Sequence, residues 1–204
     1  MEGAEVITDL AAISTIIAGK RPEADVYPTP DWAVEKILGA ALFPPREGWI
    51  RILDPGAGSG VWGAIASNRL LKTDVWGVEL RNLEQPAEFD SWIACRDFLD
   101  WTPLYNTRFD LVIGNPPYSL AEEFIRHSFD LLAPGGQIVF LLRLAFLEGQ
   151  ARAKGLWTEH PPERVLVLPK RPSFSGNGKT DAIAYAAFYW RDGFRGSPAL
   201  GWLP

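Results

Sequence analysis

Asn115-Pro116-Pro117-Tyr118 brings together residue types suited to gripping a flat amino group. The Asn115 side chain offers a carbonyl acceptor that does not titrate, and two successive prolines fix φ at about −65° and remove two N–H donors. Such a loop accepts hydrogen bonds and donates few. An exocyclic NH₂ on a nucleobase, or a carboxamide NH₂, can give one hydrogen to Asn115 and one to the carbonyl of Pro116, while Tyr118 stacks on the attached plane. Two acceptors drawing on one amine weaken its conjugation and expose the nitrogen lone pair for attack. The same four residues also fit an ordinary turn, because Asn-Pro and Pro-Pro are common turn dipeptides. Their meaning depends on what surrounds them.

A second segment suits a ligand carrying a ribose and an amino group. Asp54-Pro55-Gly56-Ala57-Gly58-Ser59-Gly60 lies between an apolar run and a helical pattern. Gly56, Gly58 and Gly60 let a ligand approach the backbone closely, and the helix N-terminus beyond them favours negative charge. Gly58-Ser59-Gly60-Val61-Trp62-Gly63 also satisfies the dinucleotide fingerprint, with Glu79 about 20 residues on as the ribose acid, so a dehydrogenase fits this loop taken alone. Asp54 is well placed for a ligand's amino group or an ordered water. Asp97-Phe98 follows a later apolar run, which lets Glu79 serve the ribose hydroxyls and Asp97 the amine of an adenine. Asp97 equally fits a carboxylate capping a turn.

These segments need rigid mounts, and the pattern supplies them. The spacing predicts strands over Trp49–Leu53, Val75–Glu79, Trp92–Cys95, Phe109–Ile113, Gln137–Leu142, Val165–Leu168 and Ala182–Trp190. Between them it predicts helices over Val61–Leu71, Leu83–Ser91 and Ser119–Leu132, the last ended by Ala133-Pro134-Gly135-Gly136. Ahead of these, a helix capped by Thr29 or Asp31 is stopped by Pro44-Pro45, and Thr8–Ala18 has helical character. Alternation of strand and helix implies an α/β fold: a doubly wound, mostly parallel sheet of seven strands in one domain spanning residues 1–204. Residues 1–25 are expected to form an N-terminal extension and 191–204 a C-terminal tail.

At 204 residues, 47% hydrophobic and 22% charged, the chain has the balance of one globular core. It has no apolar run of the roughly 18 residues that a membrane span needs and no basic-then-apolar leader, so a soluble, cytoplasmic protein without a membrane partner is expected. Cys95 is the single cysteine, expected in the core, and with only His127 and His160 besides, no metal site is expected. The net charge of −5 hides a local excess of cations. Arg143, Arg152, Lys154, Arg164, Lys170, Arg171 and Lys179 outnumber Glu148, Glu159 and Glu163 within one stretch, as expected of a surface that meets phosphates on one face. Chance clustering on a solvated surface accounts for the charge equally well.

Taken together, and in this order along the chain, these residues resemble the class I S-adenosylmethionine-dependent methyltransferases, in particular the amino-group type acting on adenine N6 in DNA and its short phage-type members. The resemblance runs from Tyr27 to Trp190. Tyr27-Pro28-Thr29-Pro30 resembles the N-terminal cofactor motif, Asp54 to Gly60 the glycine loop, Glu79 and Asp97-Phe98 the ribose and adenine contacts, and Asn115 to Tyr118 the catalytic loop. It implies a Rossmann-like methyltransferase fold, S-adenosylmethionine as cofactor, and direct in-line transfer to the N6 amine of a flipped-out adenine in DNA. Phe174 falls in the loop where related enzymes hold an aromatic against the flipped base; it also fits a plain hydrophobic anchor. Arg143, Lys170, Arg171 and Lys179 are expected to bind the polymer.

Larger relatives carry a separate target-recognition region. Here only Arg143–His160, the Pro169–Thr180 loop and a short tail after Trp190 are available, so specificity is expected to be relaxed, or carried by these loops, a second subunit of a homodimer or a specificity partner. Other planar amines fit the same loop: adenine in RNA, cytosine N4, or a protein glutamine, whose enzymes usually carry a helical N-terminal domain. A non-catalytic binding subunit with this fold, and an NAD-dependent oxidoreductase, are the readings from other classes.

Overall fold

The structure, a computed structural model, describes residues 28–41, 48–174 and 182–204. The expected helix Thr8–Ala18, Tyr27, Lys179 and the Pro44-Pro45 stop lie outside the described residues. In chain order the elements are α1 (Asp31–Ala40), β1 (Ile50–Pro55), α2 (Val61–Arg69), β2 (Thr73–Val78), β3 (Ser91–Ile93) and β4 (Phe109–Gly114). There follow α3 (Ala121–Leu131), β5 (Leu132–Arg143), the short helices α4 (Gln150–Lys154) and α5 (Leu156–Glu159), β6 (Arg164–Val167), β7 (Tyr185–Arg191) and β8 (Ala199–Trp202).

All eight strands form one sheet in the order β3-β2-β1-β4-β5-β7-β6-β8. β7 runs antiparallel to both neighbours, and every other pairing is parallel. The order reverses between β1 and β4, and the crevice outside the carboxyl ends of two such strands is where open α/β sheets take ligands. The doubly wound α/β class expected from the alternation is the one observed. The eighth strand comes from the segment read as a tail, whose Gly- and Pro-containing run hides a strand only four residues long.

Burial on both faces explains the apolar strands. Along β7, Tyr185, Ala187 and Tyr189 join α1 and α2 on one side, whereas Ala186, Phe188 and Trp190 join α3 on the other. α3 turns Phe124, Ile125 and Leu131 inward, at helical spacing.

Four local expectations are corrected. Leu83–Ser91 is not helical. Pro86 removes an N–H and holds Gln85 away from helical dihedrals, and the segment is pinned instead by Gln85 Nε2 on the Phe89 carbonyl at 2.6 Å and Trp92 Nε1 on the Leu83 carbonyl at 2.8 Å. Cys95 is not core: β3 ends at Ile93, and Cys95 lies beyond it, half-buried, at φ +55°. α1 is capped by neither Thr29 nor Asp31, because Pro30 takes the cap position and its carbonyl receives the Ala33 N–H at 2.9 Å. Finally, the Ala133–Gly136 turn is absorbed into β5, at the cost of a register shift opposite Phe109 and Leu111.

Candidate active site

At the tips of β1 and β2 two carboxylates are buried side by side. Asp54 is 1% exposed, and its Oδ2 accepts the Gly63 N–H at 3.2 Å. Burial pushes its carboxyl well above the ordinary carboxylate range; the Gly63 hydrogen bond opposes this and the charge of Glu79 adds to it. Glu79 is 4% exposed, with both oxygens engaged: Oε2 accepts the Gly58 N–H at 2.7 Å, and Oε1 accepts from Arg81 N at 2.9 Å and Nε at 2.7 Å. Arg81 was not anticipated from sequence. Its only signal there is a cation two places after the acid that ends a strand. Because the guanidinium holds one oxygen and the glycine loop the other, Glu79 is aimed before any ligand arrives.

The glycines act here mainly by permitting contact. Gly60 adopts φ +82°, and a Cβ on it would lie 2.6 Å from Pro86. A Cβ on Gly63 would lie 2.2 Å from the ring of Phe89. The third glycine of the fingerprint thus seats the non-helical 81–90 segment against α2. Gly63→Ala should destabilise the fold by about 1–3 kcal/mol, the usual cost of overpacking, as read from urea denaturation. A Phe89→Leu change in the same chain should recover part of it.

Gly114 ties the next strand to this crevice. A Cβ there would stand 3.2 Å from Asp54 Oδ1, so the end of β4 touches the end of β1 and delivers the following loop beside the carboxylates. Thr29, two residues before α1, is buried, and its Oγ1 accepts the Trp62 indole N–H at 3.2 Å. Pro30 follows it as the helix cap.

Beyond β3, Asp97 caps a short turn, its Oδ1 accepting the Leu99 N–H at 3.0 Å. Phe98 is 1% exposed, with its ring 4.9 Å from Phe124 and 4.7 Å from His127. Its side chain is therefore core, and its carbonyl accepts the Trp101 N–H at 3.2 Å.

In the loop after β4, the Pro117 carbonyl takes the Leu120 N–H at 2.9 Å, which leaves the Pro116 carbonyl as the proline acceptor for a ligand. Asn115 Oδ1 and the Tyr118 hydroxyl are both covered from solvent, and the Asn115 side chain is within hydrogen-bonding reach of that hydroxyl. Burial pushes the Tyr118 phenol above its ordinary value, and neighbouring Tyr185 adds to the effect. Tyr118 therefore stays protonated at neutral pH. Its ring does not stand open to a base: it lies 5.8 Å from Tyr185, and the Arg143 guanidinium carbon is 4.8 Å from its centroid. Tyr185 pairs with Arg143 in the register of β5 and β7. It carries Phe174 on its edge at 5.1 Å. Tyr185 escaped the sequence reading because a tyrosine beginning an apolar strand looks like any core residue.

Among the described residues, the remaining cations do not form one patch. Lys170 lies over Trp32 of α1, 4.5 Å from the ring centroid, and Arg171 is exposed nearby in sequence. Arg164 covers the ring of Tyr189. Arg143 and Arg152 share a cavity next to Tyr118. Strand direction separates residues that are close in sequence, so a stretch of positive charge becomes several unlike environments. Among the described residues no group of three or more His, Cys, Asp or Glu is placed to hold a metal ion, and no helix is long and apolar enough to cross a membrane.

No family model matches the chain. Over 93 residues it is 33% identical to a tRNA1(Val) (adenine(37)-N6)-methyltransferase of Enterobacter sp. (strain 638); the match covers 40% of this chain and 37% of that enzyme. Among solved structures, it resembles a protein of Listeria monocytogenes assigned to the class I S-adenosylmethionine-dependent methyltransferases, with TM-score 0.65, 16% identity, and coverage of 97% of this chain and 75% of the other. It also resembles the methyltransferase subunit of a type I restriction-modification system from Streptococcus thermophilus, with TM-score 0.66, 19% identity, and coverage of 82% and 45%. The fold is that of the class I S-adenosylmethionine-dependent methyltransferases.

Proposed function

We propose that the protein transfers a methyl group from S-adenosylmethionine to the exocyclic N6 amine of adenine in a nucleic acid. The contact of Gly114 with Asp54 carries this reading, because it sets the acceptor loop of β4 directly beside the buried acids of β1 and β2. The partial likeness to a tRNA adenine-N6 enzyme supports adenine as the base. DNA, the polymer implied by the sequence resemblance, and RNA, the polymer of that relative, are both retained.

The residues present fit the cofactor. Among the described residues no cation partners the buried Asp54 carboxyl, and a ligand ammonium or sulfonium provides one. Glu79 Oε1 is filled by the two Arg81 N–H groups, whereas Oε2, held by Gly58, keeps a lone pair for a ribose hydroxyl, since each carboxylate oxygen accepts two hydrogen bonds. Asp97, Phe98, Thr29 and Pro30 are assigned as further cofactor contacts on the strength of the sequence resemblance. When bound, S-adenosylmethionine supplies a sulfonium methyl open to direct attack.

Asn115 and the Pro116 carbonyl then hold the amine, orient its lone pair and stabilise the positive charge that grows on nitrogen. Tyr118, protonated and buried, contributes its ring and its contact with Asn115, not a base. The closed arrangement of Asn115 and Tyr118 has to open for the amine, with Tyr118 and Phe174 taking over the stacking that an extruded base loses.

Two measurements test the reading. S-adenosylhomocysteine at about 100 times its dissociation constant should add about 2.7 kcal/mol to the stability of the chain, with NAD giving no thermal shift. Stabilisation by NAD alone would favour an oxidoreductase. Labelled S-adenosylmethionine with DNA, RNA and protein, followed by nucleoside analysis, should then give N6-methyladenine; label in glutamine or cytosine would transfer the clamp to another amine.

A further inference from the structure

The hydrogen bonds that already reach Glu79 limit what else it can hold. An ionised carboxylate has about four acceptor positions, two on each oxygen. Three are taken: the Gly58 N–H uses one on Oε2, and the backbone N–H and the Nε–H of Arg81 use both on Oε1. Oε1 is therefore full. The one position left is on the oxygen that lies against the glycine loop.

This arrangement is built to stay. Arg81 grips Oε1 with the main chain and the side chain of a single residue, so the carboxylate cannot turn away without breaking two hydrogen bonds together. The backbone on both sides is sewn to the segment that ends β3. The Glu79 N–H donates to the Ile93 carbonyl at 2.9 Å, and the Glu79 carbonyl accepts the Arg96 N–H at 3.1 Å. The Arg81 carbonyl accepts the Leu83 N–H at 3.1 Å and the Cys95 N–H at 3.4 Å. Arg81 Nη2 reaches back toward the glycine loop, 3.7 Å from where a Cβ on Gly58 would stand. Since Glu79 is 4% exposed, solvent has little access with which to compete for its oxygens.

A ribose presents two neighbouring hydroxyls on one face of its ring. An acid with both oxygens free can take one hydroxyl on each, but Glu79 has a free position on Oε2 alone. We infer that Arg81 is a specificity-determining residue of the cofactor site: by filling Oε1 it restricts Glu79 to a single ribose hydroxyl, so the site requires one of the two hydroxyls and tolerates loss of the other. The inference rests on the methyltransferase reading, in which Glu79 meets the cofactor ribose, and deepens it.

The test is calorimetric titration of the full chain with S-adenosylhomocysteine and with its 2′-deoxy and 3′-deoxy analogues. In the wild type, one analogue should bind at least about tenfold more weakly than the parent, the scale of one hydrogen bond to a charged group. The other should stay within about threefold of the parent. Arg81→Met keeps a side chain of similar reach and removes the guanidinium donors, which frees one position on Oε1. In that variant the second hydroxyl should also count, and both analogues should bind at least about tenfold more weakly than the parent. A purely structural role for Arg81 would instead weaken all three ligands by one common factor.

Equal losses for the two analogues in the wild type would overturn the inference, because the acid would then serve both hydroxyls. No loss for either would remove Glu79 from the ribose altogether. The role of Arg81 fails if Arg81→Met keeps the wild-type difference between the analogues or weakens every ligand alike. The wild-type comparison stands whether or not the variant folds. Failure of the wild type to bind S-adenosylhomocysteine at all would sink the methyltransferase reading and this inference with it, whereas binding with equal losses sinks the inference alone.

Discussion

Asn115→Ala is expected to reduce methyl transfer by at least about a hundredfold, the effect of deleting one preorganised group that stabilises transition-state charge. Cofactor affinity should change little, because the crevice acids are held by other groups: Asp54 by Gly63, and Glu79 by Gly58 and Arg81. Single-turnover transfer and calorimetric titration with S-adenosylhomocysteine separate the two effects. Asn115→Asp is the informative companion. It keeps the acceptor and removes the amide in reach of Tyr118, so partial activity would assign the chemistry to the carbonyl oxygen. Loss of transfer and cofactor binding together in Asn115→Ala would mean that the loop merely shapes the crevice.

Asp54→Asn should act in opposite directions on stability and on cofactor binding. The folded protein holds the Asp54 proton to higher pH than the unfolded chain does. The stabilisation from that retained proton is complete below the ordinary carboxylate pKa and is lost as pH rises through the raised folded value. At neutral pH the cofactor-free protein thus carries the cost of burying this carboxyl, as a charge or as a retained proton, and asparagine removes it while keeping an oxygen for the Gly63 N–H. The variant should melt higher than wild type at pH 7, with the gap closing as the pH is lowered.

Binding of a positively charged ligand should nevertheless weaken by about 2–5 kcal/mol, the cost of losing one partner of a buried charge pair. For the same reason, wild-type affinity for S-adenosylmethionine should fall as the pH is lowered through the raised Asp54 pKa, and the Asn variant should lack that dependence. Calorimetry across the pH range in which the protein stays folded checks both. A wild-type profile matched by the variant would remove Asp54 from contact with the ligand's charge.

The two segments with chemical promise were legible because each combines residue types rarely needed together for packing alone. Asn115 to Tyr118 and Asp54 to Gly60 sit at strand ends, and the apolar runs before them made the strands plain. The segment 83–91 was misread because its apolar residues are spaced like a helix, while Pro86 forbids one and Phe89 finds a better place against Gly63. The strand at 199–202 was missed because two of its side chains, Leu200 and Trp202, remain exposed. It exists through edge pairing with β6, for which local sequence gives no signal.

What the sequence determined by itself is the chemistry on offer: acceptors with few donors in one loop, glycines and acids in another, and alternating apolar runs that require an α/β sheet. These are properties of residue type and short spacing, which survive without knowledge of the fold. The tertiary structure decided who meets whom. It set Gly114 against Asp54, gave Glu79 to Arg81, turned Tyr118 inward beneath Arg143, and paired Arg143 with Tyr185 across strands 42 positions apart in sequence. Those contacts depend on strand order and register, which arise from burying both faces of the whole sheet at once, and no local segment carries that information.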